Sequence, residues 1–190
     1  MPELKEGIAV FLDRDGTINE EVGYLSDPDG LKLIRGAAEA VKKLNDHGIK
    51  VIVISNQSGV GRGYFSERDL ARINMRLTEL LLSYEARIDA IYYCPHHPDD
   101  GCECRKPEPG LLKKAAREHS IDLGRSYVVG DKKTDVELAV NAGSKGILVK
   151  TGFGREQLKT MTRSAAFVAD DLLDATEWII NDMAHKRKRA

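Results

Sequence analysis

Two aspartates one residue apart, in Asp13-Arg14-Asp15-Gly16-Thr17, follow directly on the apolar run Ile8 to Leu12. On an extended chain, side chains two apart project to the same side at about 6 to 7 Å. A metal ion and one phosphorus atom fit between carboxylates held in that way, and Gly16 permits the sharp turn that brings backbone close to a ligand. Asp13 is then the candidate nucleophile. Asp15 is the candidate acid that protonates a leaving oxygen, and afterwards the base that activates water. An Asx turn would use the same residues without chemistry, so the assignment depends on what else the chain offers.

Three further groups support it. Ser55-Asn56-Gln57-Ser58-Gly59 closes a second apolar run and presents a hydroxyl and backbone N–H groups to an anion. Cys104-Arg105-Lys106-Pro107 sets two cations side by side, with Pro107 disfavouring helix at Lys106. Lys106 suits a point charge on a phosphoryl group, and Arg105 a two-pronged grip on a second oxyanion. In Gly130-Asp131-Lys132-Lys133-Thr134-Asp135, Asp131 joins Asp13 and the backbone carbonyl of Asp15 as a set of hard oxygen ligands for magnesium. Asp135 is expected to support that set or a helix start.

A different metal chemistry is written into Cys94-Pro95-His96-His97 and Cys102-Glu103-Cys104. Three thiolates and one imidazole, from Cys94, His96, Cys102 and Cys104, match a closed tetrahedral zinc site; His97 competes with His96, and spacing leaves both open. Such a zinc would brace residues 94–104 and position Arg105 and Lys106, without chemistry of its own.

The elements that must hold these groups alternate. Ile8 to Leu12, Val51 to Ile54, Ile88 to Tyr93, Tyr127 to Val129 and Ile147 to Val149 read as buried strands. Helices are expected over Gly36 to His47, after a Ser66–Asp69 capping box with Leu70, Ile73, Leu77, Leu80, Leu81 and Tyr84 in helical spacing, and over Pro109 to His119, Thr134 to Asn141 and Leu172 to Met183. This order predicts an α/β three-layer sandwich around a mostly parallel sheet, with ligands at the carboxyl ends of the strands. One domain, 1–190, is expected, ending in a solvated basic tail at 184–190.

Composition excludes several partners. Twenty-nine basic residues against 30 acidic ones leave a net charge of -1, so no global basic field draws nucleic acid or anionic membrane. The apolar run after the charged start at Met1 to Gly7 is too short for a signal core or a membrane span. Three cysteines, odd in number and clustered, fit metal binding in a reducing compartment. A cytoplasmic monomer acting on a small phosphorylated metabolite is the expectation.

The four stations DxDGT, a terminal Ser on the second strand, a Lys, and GDxxxD resemble the haloacid dehalogenase (HAD) superfamily, over nearly the whole chain. The resemblance implies a Rossmannoid fold, Asp13 as nucleophile, Asp15 as acid/base, Ser55 and Lys106 on the phosphoryl oxygens, and magnesium at Asp13, Asp15 and Asp131. There is no room for a cap domain, so short loops must set specificity. FLDRDGTIN, VGYL, SNQSGVGRGYF, YYCPHHP, CRKPEPG and GDKKTD are similar to the heptose-1,7-bisphosphate 7-phosphatase family over about the first 150 residues. That similarity implies zinc at Cys94, His96, Cys102 and Cys104, and substrate contacts from Asp13, Arg14 and Asp15, Glu21, Val22, Gly23 and Tyr24, Ser55, Asn56, Gln57 and Ser58, Arg105, Lys106 and Lys132. The short stretch between His96 and Cys102 is also similar to histidinol-phosphate phosphatases, whereas VGYL, GVGRGYF and KPEPG favour the heptose enzymes.

Overall fold

The computed structural model describes residues 7–187, so Met1 to Glu6 and the last three residues of the basic tail lie outside the described residues. Six strands, β1 (Ala9–Leu12), β2 (Lys50–Asn56), β3 (Ala90–Cys94), β4 (Tyr127–Gly130), β5 (Lys145–Val149) and β6 (Phe167–Ala169), form one sheet in the order β3-β2-β1-β4-β5-β6. Every pairing is parallel.

Alternation along β1 sends its side chains to two cores. Val10 and Leu12 pack with α1 (Ala37–Asp46), α3 (Glu67–Leu82) and α7 (Leu172–Arg187), through Val41, Leu44, Ile73, Leu77, Ile179 and their neighbours. Ala9 and Phe11 face α4 (Gly110–Glu118) and α5 (Lys133–Ala142), through Leu112, Ala115 and Leu138. Two short helices, α2 (Ser58–Gly61) and α6 (Gly154–Thr160), complete the layers. The sandwich is the one expected, with a sheet that is wholly parallel.

The chain departs from β1 toward β2 and β3, then returns to β4 and runs outward through β5 and β6 on the other side. The direction of winding therefore reverses between β1 and β4, and a crevice opens where such a reversal occurs. Asp13 follows β1 and Asp131 follows β4, so both stand at that crevice.

The strand at β6 and the helix at α6 were not among the expected elements. β6 is three residues long and α6 seven, too short to show a period. The Ser66–Asp69 capping box forms in both directions, and Leu70, Ile73, Leu77 and Leu81 are buried, while Tyr84 lies past the helix end and is exposed. α7 runs a turn beyond its expected end at Met183, into the first part of the basic tail.

Candidate active site

Asp13 is fixed first by backbone: its N–H donates to the Val129 carbonyl at 2.9 Å, which locks the end of β1 to β4. Its carboxylate meets the ammonium of Lys106 at 2.8 Å, and both groups are buried. Lys106 also donates to Asp135 at 2.6 Å and to the Ile54 carbonyl at 3.0 Å. Burial opposes the charge of Lys106, but Asp13 and Asp135 outweigh it and raise the lysine above its ordinary value. Lys106 reaches this place because Asn56, at the end of β2, pairs with its backbone: the amide oxygen accepts from Lys106 N–H at 3.0 Å and the amide nitrogen donates to Lys106 carbonyl at 3.2 Å.

One oxygen each of Asp13, Asp131 and Asp135 lie within 4.8 Å of one another. The two outer carboxylates differ in what they have free. Asp135 spends its oxygens on Lys106 and on the Lys132 N–H at 3.0 Å. Asp131 accepts from the Phe153 N–H at 2.8 Å through Oδ2, while its buried Oδ1 has no hydrogen-bond partner. Burial, and then the neighbouring charge of Asp13, push the Asp131 carboxyl up to about 8. Such a set of carboxylate oxygens could hold a hard divalent cation. Gly16 and Gly152, both with positive φ, make room beside it, for a Cβ on either would overlap the Asp131 carboxylate.

Asp15 is turned another way. Its Oδ1 accepts from Arg14 and from Asn19 at 2.9 Å, and its Oδ2 from Arg14 at 2.9 Å and Gln57 at 2.8 Å. Burial works against its charge, yet Arg14 first, then Asn19 and Gln57, hold its carboxyl below the usual carboxylate range. Gln57 also donates to the Ser55 hydroxyl at 2.7 Å, linking the end of β2 to Asp15. Arg14 faces inward: it is 1% exposed, its guanidinium meets Asp15, Gln57 and Asn74, and its carbonyl accepts from the N–H groups of Thr17, Ile18 and Asn19.

A cleft of about 510 Å³ opens over these groups. Asp15, Glu21, Gly23, Tyr24, Asn56, Gln57, Ser58, Arg105, Lys106 and Lys132 line it, and Asp13, Arg14, Val22 and Ser55 do not. Glu21 holds the loop after β1, accepting from Lys132 at 3.0 Å and from the Gly23 N–H at 2.7 Å. Val22 and Tyr24 are exposed there, and Tyr24 meets Tyr64 edge to face, 4.8 Å between ring centres. Arg105 lines the cleft, and its buried Nη1 has no hydrogen-bond partner.

At the end of β3, the sulfurs of Cys94, Cys102 and Cys104 and Nδ1 of His96 converge, with separations from 3.1 to 3.5 Å. These are close to the edges of a tetrahedron of zinc ligands. Burial above all pushes Cys94 up to about 12, whereas at Cys102 burial is outweighed by hydrogen bonds from Cys104 and Cys94, which lower its thiol to about 7. His96 is the imidazole that meets the three sulfurs, while His97 Nδ1 accepts from the Asp99 N–H at 3.3 Å.

The comparisons agree with this geometry. A family described as HAD-hydrolase-like matches residues 103–175. The D-glycero-D-manno-heptose-1,7-bisphosphate 7-phosphatase of Thermosynechococcus vestitus is 46% identical, over 93% of this chain and 97% of the relative. The chain belongs to the D-glycero-D-manno-heptose-1,7-bisphosphate 7-phosphatase family of the HAD superfamily. The Escherichia coli K12 member is 39% identical, over 93% of this chain and 90% of its own. A crystal structure of the D,D-heptose 1,7-bisphosphate phosphatase of B. bronchiseptica, complexed with magnesium and phosphate, superposes with a TM-score of 0.87 at 34% identity, covering 92% of this chain and 98% of that one. The protein is thus a phosphoric monoester hydrolase.

Within this heptose phosphatase family member, the structure adds residues that the sequence reading passed over. Phe153 and Gln157, from the turn before α6 and from α6 itself, line the cleft, and Lys132 sits 5.1 Å over the Phe153 ring. Thr151 donates to the Gly16 carbonyl at 2.6 Å, closing the turn around Asp131. The signal was Gly152-Phe153-Gly154 just beyond β5, a glycine pair at a strand end where ligands gather.

Proposed function

We propose that the protein is a magnesium-dependent phosphomonoesterase that removes the 7-phosphate of D-glycero-D-manno-heptose 1,7-bisphosphate through an aspartyl-phosphate on Asp13. The observation that carries this is the meeting of Asp13, Asp131 and Lys106 at the crevice, with one Asp131 oxygen unpartnered. Asp13, Asp131 and the carbonyl of Asp15 would hold magnesium, whose charge would neutralise the phosphoryl oxygens and the attacking carboxylate together.

The chain's own residues perform the transfer. Asp13 attacks phosphorus, the ester P–O bond breaks, and Asp15, whose low resting value is raised by the negative charge of the incoming phosphate so that it takes up a proton, gives that proton to the leaving sugar oxygen. Asp15 then takes a proton from water, which attacks the same phosphorus and frees Asp13. Ser55 and Lys106 hold phosphoryl oxygens, and Arg105 and Lys132 receive the phosphate that stays on the sugar. Glu21 to Tyr24 and Asn56 to Ser58 shape the site around the ring. Cys94, His96, Cys102 and Cys104 would hold zinc, which would brace the approach to Lys106. The reaction belongs to the making of nucleotide-activated heptose in the cytoplasm. A monomer is the acting form we propose, and among the described residues no helix is long and apolar enough to cross a membrane.

Phosphate release tests this. Asp13→Asn should lose at least about a thousandfold in kcat with its melting temperature nearly unchanged. Heptose bisphosphate should exceed histidinol phosphate in kcat/KM. Turnover retained in the variant would sink the nucleophile assignment, and a preference for histidinol phosphate would sink the substrate.

A further inference from the structure

Asn74 occupies a place on α3 that the helix period assigns to the core: four residues after Leu70 and three before Leu77, both fully buried. An amide is a mediocre helix former and a poor core residue. Its side-chain oxygen accepts from Arg14 Nη1 at 3.1 Å. The other guanidinium nitrogens are directed at the active site: Nε reaches Asp15 Oδ1 at 3.1 Å, and Nη2 reaches Asp15 Oδ2 at 2.9 Å and Gln57 Oε1 at 3.2 Å. A guanidinium buried this deeply is costly unless its donors are met and its charge is paired. It is also planar and rigid, so the direction in which Nη1 is held fixes the directions of Nε and Nη2.

We propose that Asn74, acting through Arg14, is a positioning residue that aims the Asp15 carboxyl at the leaving oxygen. Asn74 does not line the cleft; Asp15 does. The helix thereby anchors one end of a rigid fork whose other end grips the acid. The proposal rests on the reading of Asp15 as proton donor, and leaving-group chemistry separates the two. A sugar alkoxide must receive the Asp15 proton as its P–O bond breaks, whereas p-nitrophenolate departs without one.

The experiment is single-turnover phosphoryl transfer from heptose bisphosphate, beside the pre-steady-state burst of p-nitrophenolate from p-nitrophenyl phosphate, with magnesium and zinc present. Asn74→Leu suits the apolar helix face but accepts no hydrogen bond; Asn74→Ala, which adds no bulk against Arg14, carries the same expectation. Both should slow transfer from the sugar phosphate about tenfold, a fraction of what a general acid contributes, and change the p-nitrophenolate burst less than about twofold. Asn74→Asp, which keeps an acceptor for Nη1, should recover most of the rate. Equal slowing on both substrates, no slowing on either, or an Asn74→Asp as slow as Asn74→Leu would overturn the proposal. Asp15→Asn is the reference: if it slows both substrates alike, the acid assignment fails, and if it is selective while the Asn74 variants are not, only the role of Asn74 falls.

Discussion

At the scale of single residues, Asp131 holds the clearest tension in the molecule. It is buried, close to Asp13 and Asp135, and one of its oxygens has no partner. Its carboxyl is pushed up to about 8 from an ordinary 3.8. Without metal, the folded protein therefore keeps a proton here that the unfolded chain has already lost above the ordinary value. The stability this group contributes falls as pH rises from near 4 to about 8, and is level beyond. A divalent ion needs the carboxylate, so proton and metal compete. Magnesium affinity, measured by titration calorimetry, should weaken at least about tenfold between roughly pH 8.5 and 6.5, and equal affinities at the two would show that Asp131 does not carry the competing proton.

Asp13, Asp15 and Asp131 were legible at this scale because each pairs a reactive side chain with a strand end, and Lys106 because it stands beside Arg105 and before Pro107. Arg14 and Asn74 were not. Sequence shows that an arginine lies beside the nucleophile, but not that its side chain turns away from the cleft, because that depends on an acceptor sixty positions later on α3.

Among the elements, the segment from Cys94 to Lys106 joins the two groups of side chains that could hold metal ions. The Cys/His cluster gathers its middle, and Lys106 at its end neutralises Asp13. A thiolate lost from the cluster should loosen the whole segment. Cys102→Ser should bind less zinc by elemental analysis and lower the melting temperature by roughly 5 to 15 °C, the effect of about 2 to 4 kcal/mol on a chain of this size. Its kcat should fall too, because Lys106 then relies on Asn56 and its ion pairs alone; an unchanged kcat at reduced zinc content would separate the segment from catalysis. The long, periodic helices α1, α3 and α4 were readable in advance, as were five of the six strands. β6 and α6 escaped because pairing with β5 and a turn around Asp131 make them, and local pattern does not.

For the molecule as a whole, a net charge of -1 conceals a local excess of cations. Arg105, Lys106, Lys132 and Lys133 all face the cleft, against Asp15 and Glu21. A doubly phosphorylated substrate should feel this field more than a singly phosphorylated one, and salt should screen it over about 10 Å at 0.1 M. Raising salt from about 0.05 to 0.5 M should increase KM for heptose bisphosphate severalfold more than KM for p-nitrophenyl phosphate, with kcat nearly constant. A KM independent of salt for both would show that the cleft cations act only by direct contact. The general architecture, with ligands at the carboxyl ends of the strands, was readable from the alternation of strands and helices; the place where the winding reverses depends on the strand order, and the depth and lining of the cleft on loops without periodicity.

The stretch after β3 is tied at both of its ends and at few places between. Gln57 and Gly61 donate backbone N–H groups to the carbonyls of Cys94 and Pro95, each at 2.8 Å, and the Asn56 amide grips Lys106 on both sides of its backbone. Length can therefore change between His96 and Cys102 without moving the lysine. Evolution is free to treat that interval as an exchangeable cassette, lengthening or shortening it to suit a different sugar or amine while the phosphate chemistry beneath stays in register.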